Sequence, residues 1–219
     1  MPQSSLVLEV RERPLAVRDA VNESLQRGEL DAAGKIAAAY AIAWRDSFLV
    51  REVARFAAWP PARRAAKVAV DTMRLAGIKA FGADGPRAAI VLWRRALARA
   101  MTNRDSAGMA GLFGNIGAGL LEDGRLDSAT SYLERARALA AAIGDLRVEA
   151  NAIGALAGAH EERGELSAAR ELYATSLALR DRIGDTRGSA ADHNNLGLLA
   201  QRLGDLEEAR RQFDTALVL

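Results

Sequence analysis

The sequence contains no cysteine, only five prolines, and aromatic residues at 5%. The absence of cysteine excludes disulfides, thiolate metal sites and a cysteine nucleophile. Strand-like runs of Val, Ile and Thr are missing as well, whereas hydrophobic residues, mostly Ala and Leu, make up 50% of the chain. Such a composition of strong helix formers predicts an all-α protein built from packed helices.

Long apolar runs are also absent, and none approaches the roughly 20 residues that a membrane-spanning helix needs. The first residues, MPQSSLVLEVRER, lack a basic segment followed by an apolar stretch of the kind that directs export. We therefore expect a cytoplasmic protein with no membrane partner.

The charge is unevenly distributed along the chain. The formal net charge is +2, but residues 51–104 hold 12 basic and three acidic side chains. A basic segment can bind nucleic acid or an acidic partner. No nucleic-acid-binding motif accompanies this one, so we interpret it as solvated helix faces and expect no nucleic-acid partner.

An internal repeat dominates the second half of the chain. Three stretches align at a spacing of 40 residues: GNIGAGLLEDGRLDSATSYLERA from 114, GALAGAHEERGELSAARELYATS from 154, and NNLGLLAQRLGDLEEARRQFDTA from 194. Gly124, Gly164 and Gly204 coincide in this alignment, as do Asp105, Asp145 and Asp185. Repeats of this length indicate a stacked array of supersecondary units.

Each unit is predicted to be a pair of helices. Asp145 is suited to be the N-cap of a first helix, Gly164 to end that helix, and Gly184 to end the second. The glycine-rich GNIGAGLL at 114–121 then lies inside a first helix. It is not a phosphate loop, because the strand and the lysine that such a loop requires are missing. The small residue at Gly117 is expected to let a neighbouring helix pack closely.

The last unit, NNLGLLAQRLGDLEEARRQFDTAL, resembles a tetratricopeptide repeat of the longer, 40-residue bacterial variety. The matching residues are Leu196 and Gly197 in the first helix, the Gly204-Asp205-Leu206 turn, and then Ala209, Phe213 and Ala216. The resemblance implies an all-α, right-handed superhelical solenoid of antiparallel helix pairs. It also implies that first helices line a concave face.

The predicted organisation has three parts. Residues 1–12 are expected to be a disordered or extended N-terminus, and 13–64 an irregular helical or capping segment. Residues 65–219 form the repeat array, with units at about 65–104, 105–144, 145–184 and 185–219. The apolar end of the last helix suggests a fragment of a longer array, or an end that a second copy covers.

The resemblance implies a non-catalytic scaffold that binds a protein or peptide partner in its concave groove. In related arrays an Asn at the register of Asn115 and Asn195 bonds the ligand backbone, since an amide both donates and accepts. The Lys and Arg positions needed to bind a terminal carboxylate are absent from the repeat register, and Arg74 and Arg202 are the nearest candidates. The predicted concave-face residues are Asn115, Glu122, Asn151, Glu162, Asn194, Asn195, Gln201 and Arg202.

An enzyme is not expected. The two histidines, His160 and His193, fall on helix-packing registers, and no ligand group has the spacing of a metal site. No cofactor or metal is therefore predicted. An alternative function is oligomerisation or structural support through the exposed terminal helix. Bacterial arrays of this type are often joined to an effector such as a caspase-like CHAT peptidase, which would make this array a sensor or regulatory part.

Overall fold

The computed structural model describes residues 3–219, and twelve α-helices account for most of them. No strand occurs among the residues so described. The helices are α1 (Gln3–Glu12), α2 (Pro14–Arg27), α3 (Leu30–Trp44), α4 (Phe48–Ala58), α5 (Pro61–Asp84), α6 (Pro86–Thr102), α7 (Ser106–Glu122), α8 (Leu126–Ile143), α9 (Leu146–Glu162), α10 (Leu166–Ile183), α11 (Thr186–Arg202) and α12 (Leu206–Val218). Within that range, no helix combines the length and the apolar character needed to cross a bilayer.

Helices α5–α12 form the repeat array, in which each helix packs antiparallel against the next. The predicted corner glycines turn the chain within each pair. Gly124, Gly164 and Gly204 have φ values of +73°, +77° and +80°, a left-handed conformation that costs glycine little. The all-α superhelical solenoid is thereby confirmed.

Aspartates begin the first helices of three units. The side chains of Asp105, Asp145 and Asp185 accept hydrogen bonds from backbone N–H groups three residues later, at 3.0, 3.2 and 2.9 Å. These bonds satisfy amides that have no partner inside the helix. The N-cap role predicted for Asp145 is confirmed, and the same role recurs along one edge of the array.

The inner row of the solenoid consists of first helices. Helix α5 contacts α7 and α7 contacts α9, in addition to the contacts between successive helices. Gly117 lies against Leu133 of the paired helix, and a Cβ built on Gly117 would lie 2.6 Å from Leu133 Cγ. The predicted close approach is confirmed, and it repeats where Gly197 meets the ring of Phe213.

Helices α1–α4 form a four-helix group, which we call the N-terminal module, and its apolar cluster also includes Ala107 and Ile143 of the array. The extended or disordered segment predicted for residues 1–12 is corrected, because residues 3–12 are helical; residues 1 and 2 lie outside the described part. Val10 is buried, and Leu6 and Val7 pack beside it against the same apolar cluster. This apolar face explains why the segment folds onto α3.

The N-terminal module contacts one edge of the array. Its side chains reach the positions where α8 and α10 end. Arg51 Nη2 donates to the Ile143 carbonyl at 3.3 Å, and the Tyr40 hydroxyl to the Ile183 carbonyl at 3.4 Å. Trp44 packs on the glycine that ends α10. The sequence RGELDAAGKIAAAY at 27–40 resembles the turn and second helix of a repeat, and Gly28 between α2 and α3 has a φ of +76°, like the corner glycines of the array. This local resemblance does not indicate which edge of the array the N-terminal module contacts.

Candidate functional site

A cavity of about 460 Å³ lies between the N-terminal module and the inner row of the array. Its upper wall comes from α2 and α4, and its lower wall from α5, α7 and α9. Phe48, Leu49, Phe56 and Trp59 give the upper wall an apolar part. The volume is within the range of small-molecule pockets, roughly 300–1,000 Å³.

Positive charge predominates around the cavity. The basic side chains that line it are Arg18, Arg55, Lys67, Arg74, Arg147 and Arg180, and the acidic ones are Asp19, Glu52 and Asp71. Most of these charges are paired. Arg55 pairs with Glu52, and Lys67 Nζ donates to the two Asp71 oxygens at 2.6 and 2.7 Å.

Arg74 and Arg147 are the exceptions. Among residues 3–219, neither guanidinium forms a hydrogen bond or an ion pair. Burial lowers the pKa of both residues, and the nearby charge of Arg18 lowers both further. Nearby carboxylates oppose that effect without pairing with either group, chiefly Asp71 at Arg74 and Asp185 at Arg147. Two half-buried guanidinium groups, one on α5 and one on α9, therefore face the cavity with their donors free.

Asn115 adds a third free donor. Its side-chain Nδ2 is buried and has no hydrogen-bond partner within the described chain. The floor beside it is flat, because Gly111 and Gly114 lack side chains. A Cβ built on Gly111 would meet no atom within 4 Å, so the space above Gly111 belongs to the cavity.

Each of the three cap aspartates has its own cation. Asp105 lies 3.6 Å from Lys67 Nζ, and Asp185 accepts from Arg180 Nη1 at 2.7 Å. Asp145 instead pairs with Arg18 of the N-terminal module, through N···O distances of 2.8 and 2.6 Å. This last pair joins the two walls of the cavity, and the Asp145 side chain is only 1% exposed.

A buried polar network lies between the last two units and connects α10 with α11. Arg180 Nε donates to Asp192 at 2.7 Å, and the Ser176 hydroxyl donates to the same carboxylate oxygen at 2.6 Å. Burial raises the pKa of Asp192, whereas its bonds to Ser176 and Arg180 lower it. Arg180 also donates to the side-chain oxygen of Asn151 at 3.0 Å, which connects the network to the cavity wall.

The sequence contained a signal for this network. Ser176, Arg180 and Asp192 occupy repeat positions that hold Ala136, Ala140 and Ala152 one unit earlier. Compared with one repeat earlier, the chain therefore has polar residues at three buried positions that hold alanine there. Because buried polar groups require hydrogen-bond partners, the difference predicts that the three side chains contact each other.

The predicted concave-face residues divide into two groups. Asn115 and Asn151 line the cavity beneath the N-terminal module. The others lie outside it, where Asn195 is half-buried and Arg202 pairs with Glu161 at 2.8 Å. The exposed members are Glu122, Glu162, Asn194, Gln201 and Arg202. The shared register of Asn115 and Asn195 therefore leads to two different environments.

Helix α11 lies outside the cavity and carries several of the predicted concave-face residues. Leu198 is 49% exposed beside Asn194 and Asn195, and α11 contributes no residue to the cavity wall. In the part of the chain that the structure describes, His, Asp and Glu side chains form no group of three or more suited to a metal ion.

A family profile described as tetratricopeptide repeat matches residues 108–182 and 150–219, which together cover just over half of the chain. No curated protein sequence matches the chain.

Two solved structures are similar in fold. BtubC (BKLC) from P. vanneervenii has a TM-score of 0.62 and 24% identity, with 76% of this chain and 68% of that chain covered. A Podosopora anserina protein with nearly identical TPR-like repeats has a TM-score of 0.56 and 15% identity, with 68% and 74% covered. At these identities the likeness shows the fold alone.

Proposed function

Because this chain belongs to the tetratricopeptide repeat family and is a protein-interaction scaffold, we propose that it binds an extended segment of a partner protein along α11. The surface continues over the exposed ends of α7 and α9, marked by Glu122 and Glu162. The rest of the groove lies beneath the N-terminal module.

The observation that carries this proposal is the composition of the open surface of α11. Asn194 and Asn195 supply amide donors and acceptors that match a peptide backbone. Leu198, between them and Gln201, offers an apolar contact for a partner side chain. A stacked array leaves such a surface accessible along its inner row.

A selection from a random dodecapeptide library on the immobilised protein would test the proposal. We expect the selected peptides to lose at least about tenfold in affinity for the Asn195→Ala, Leu198→Asp double variant, measured by fluorescence anisotropy. Glu171→Ala, on the exposed face of α10, is the control and should bind as the unmodified protein does. Equal affinity of the double variant would refute binding at α11.

A second candidate function is self-association through α12. Leu217 and Val218 are 83% and 84% exposed at the end of this helix, and Leu206 is 67% exposed at its start. Apolar groups exposed together in this way indicate an interaction surface. Sedimentation velocity over a concentration series should show an oligomer that Leu206→Glu, Leu217→Glu disperses; a monomer at all concentrations would eliminate this function.

A further role as the sensor or regulatory part of a larger protein, such as one with a caspase-like peptidase, rests on the family resemblance. The reading frame of the gene beyond the codon for Leu219 would test it.

A further inference from the structure

We propose that the cavity between the N-terminal module and the inner row of the array is a binding site for a small organic anion with an apolar body. This site is separate from the α11 surface and does not depend on peptide binding there.

The hydrogen-bonding groups left free in the cavity specify the charge of the ligand. The guanidinium groups of Arg74 and Arg147 and the Nδ2 of Asn115 are donors without a partner in the described chain, whereas the amides of Asn22 and Gln26 at the wall can donate or accept. Next to two free guanidinium groups, the favourable ligand group is a carboxylate, phosphate or sulfonate.

The acidic side chains at the wall do not compete effectively for this role. Arg55 and Lys67 already engage Glu52 and Asp71. Asp19 is exposed and forms no ion pair in the described chain, so it lies at the rim and leaves both guanidinium groups unpaired.

The shape of the cavity specifies the rest of the ligand. Phe56 and Trp59 provide an apolar wall on one side, and Gly111 and Gly114 provide a flat floor on the other. An aromatic or alkyl body can therefore lie between the two walls while its anionic group reaches the arginines. A cavity enclosed by two walls suits a small molecule better than a continuous polypeptide.

Two dyes that share one apolar body test the charge requirement. The anionic probe is 8-anilinonaphthalene-1-sulfonate, and its neutral counterpart is N-phenyl-1-naphthylamine, which lacks the sulfonate. We expect one equivalent of the anion to bind, at least about tenfold more tightly than the amine. Equal affinities of the two dyes would overturn the proposal.

Matched variants then locate the bound anion. Arg74→Gln, Arg147→Gln should remove the preference for the anion and leave the affinity for the neutral amine unchanged. The control Arg94→Gln, Arg95→Gln removes the same charge from the exposed face of α6 and should retain the preference. Loss of the preference in both pairs would show a general charge effect and contradict the assigned site.

A cavity-filling variant tests the location without removing charge. Gly111→Leu places a side chain in the open space, where a Cβ has no neighbour within 4 Å, and should abolish binding of both dyes. Its unfolding temperature should not fall, because leucine is a better helix former than glycine. Binding that persists in a folded Gly111→Leu protein would place the dyes elsewhere and overturn the proposal.

Competition separates a small anion from an acidic polypeptide. Phenyl phosphate should displace the anionic dye at lower concentration than inorganic phosphate does, because only the former has an apolar body. Displacement by an octapeptide of glutamate, with none by phenyl phosphate, would contradict the proposed ligand class.

Discussion

Arg18 and Asp145 lie 127 residues apart in the sequence and form a two-point ion pair with N···O distances of 2.8 and 2.6 Å. The same Asp145 carboxylate caps α9 through the Val148 N–H. One side chain therefore starts a helix of the array and holds the N-terminal module in place.

Removal of Arg18 should weaken the attachment of the N-terminal module. Arg18→Ala leaves the buried Asp145 carboxylate without its cation, which we expect to cost about 2–3 kcal/mol in the free energy of unfolding. Urea unfolding would measure this cost, and hydrogen exchange should show faster exchange in α2 and α4. Arg27→Ala, which breaks only an exposed pair on the same helix, should cost less than about 0.5 kcal/mol.

The buried network around Asp192 should respond non-additively to substitution. Asp192→Ala removes one of the two carboxylates that Arg180 contacts, but the pair of Arg180 with Asp185 at 2.7 Å remains, so we expect a cost of about 1–3 kcal/mol. Arg180→Ala leaves both Asp185 and Asp192 buried without a cation and should cost more, about 3–5 kcal/mol. The double variant Arg180→Ala, Asp192→Ala should cost less than the sum of the two single changes, because both single changes remove the same ion pair. Thermal unfolding of the three variants checks this, and strictly additive costs would contradict it.

The close contact at Gly117 should tolerate no added methyl group. A Cβ there lies 2.6 Å from Leu133 Cγ and 3.2 Å from the Leu133 backbone nitrogen, so rotation of the side chain alone cannot relieve the overlap. We expect Gly117→Ala to destabilise the protein by about 1–3 kcal/mol. Gly111→Ala on the same helix meets nothing and should stabilise by up to about 1 kcal/mol. Chemical denaturation of both variants provides the measurement.

Glu52 should make stability depend on pH. Burial raises the pKa of Glu52 above its usual 4.5, although the charges of Arg55 and Lys67 oppose the shift. The folded state therefore favours the protonated form, and the stability gained below pH 4.5 is lost as the pH rises through the raised pKa. From pH 4.5 to neutrality, the unmodified protein should lose more stability than Glu52→Gln does.

Urea denaturation at several pH values would test this sign, with the exposed Glu207→Gln on α12 as the charge-matched control. A Glu52→Gln profile parallel to that of the unmodified protein would contradict it.

The repeat array could be predicted from the sequence because its evidence is periodic. Gly124, Gly164 and Gly204 mark corners at a constant spacing, and Asp145 provides a cap with a local physical cause. Each prediction depended on interactions within a few residues or within one unit, which the spacing of residue types records directly.

The N-terminal module and the cavity could not be predicted in the same way. Arg18 and Asp145 are 127 residues apart and lie on α2 and at the start of α9, and no periodicity relates these two helices. Arg147 was visible only as a basic residue at a register that holds Ala107 in the preceding unit. Its role depends on what lies opposite, which a single sequence does not specify.

The three cap aspartates, Asp105, Asp145 and Asp185, affect where along the array the N-terminal module binds. Repeats with similar backbones present similar cap carboxylates at steps of 40 residues along one edge. The cations near Asp105 and Asp185 are Lys67 and Arg180 of the array itself, whereas the cation at Asp145 comes from the N-terminal module. Cations of the array therefore neutralise the two outer carboxylates. The position in which Arg18 pairs with Asp145 is thereby favoured over positions one repeat away.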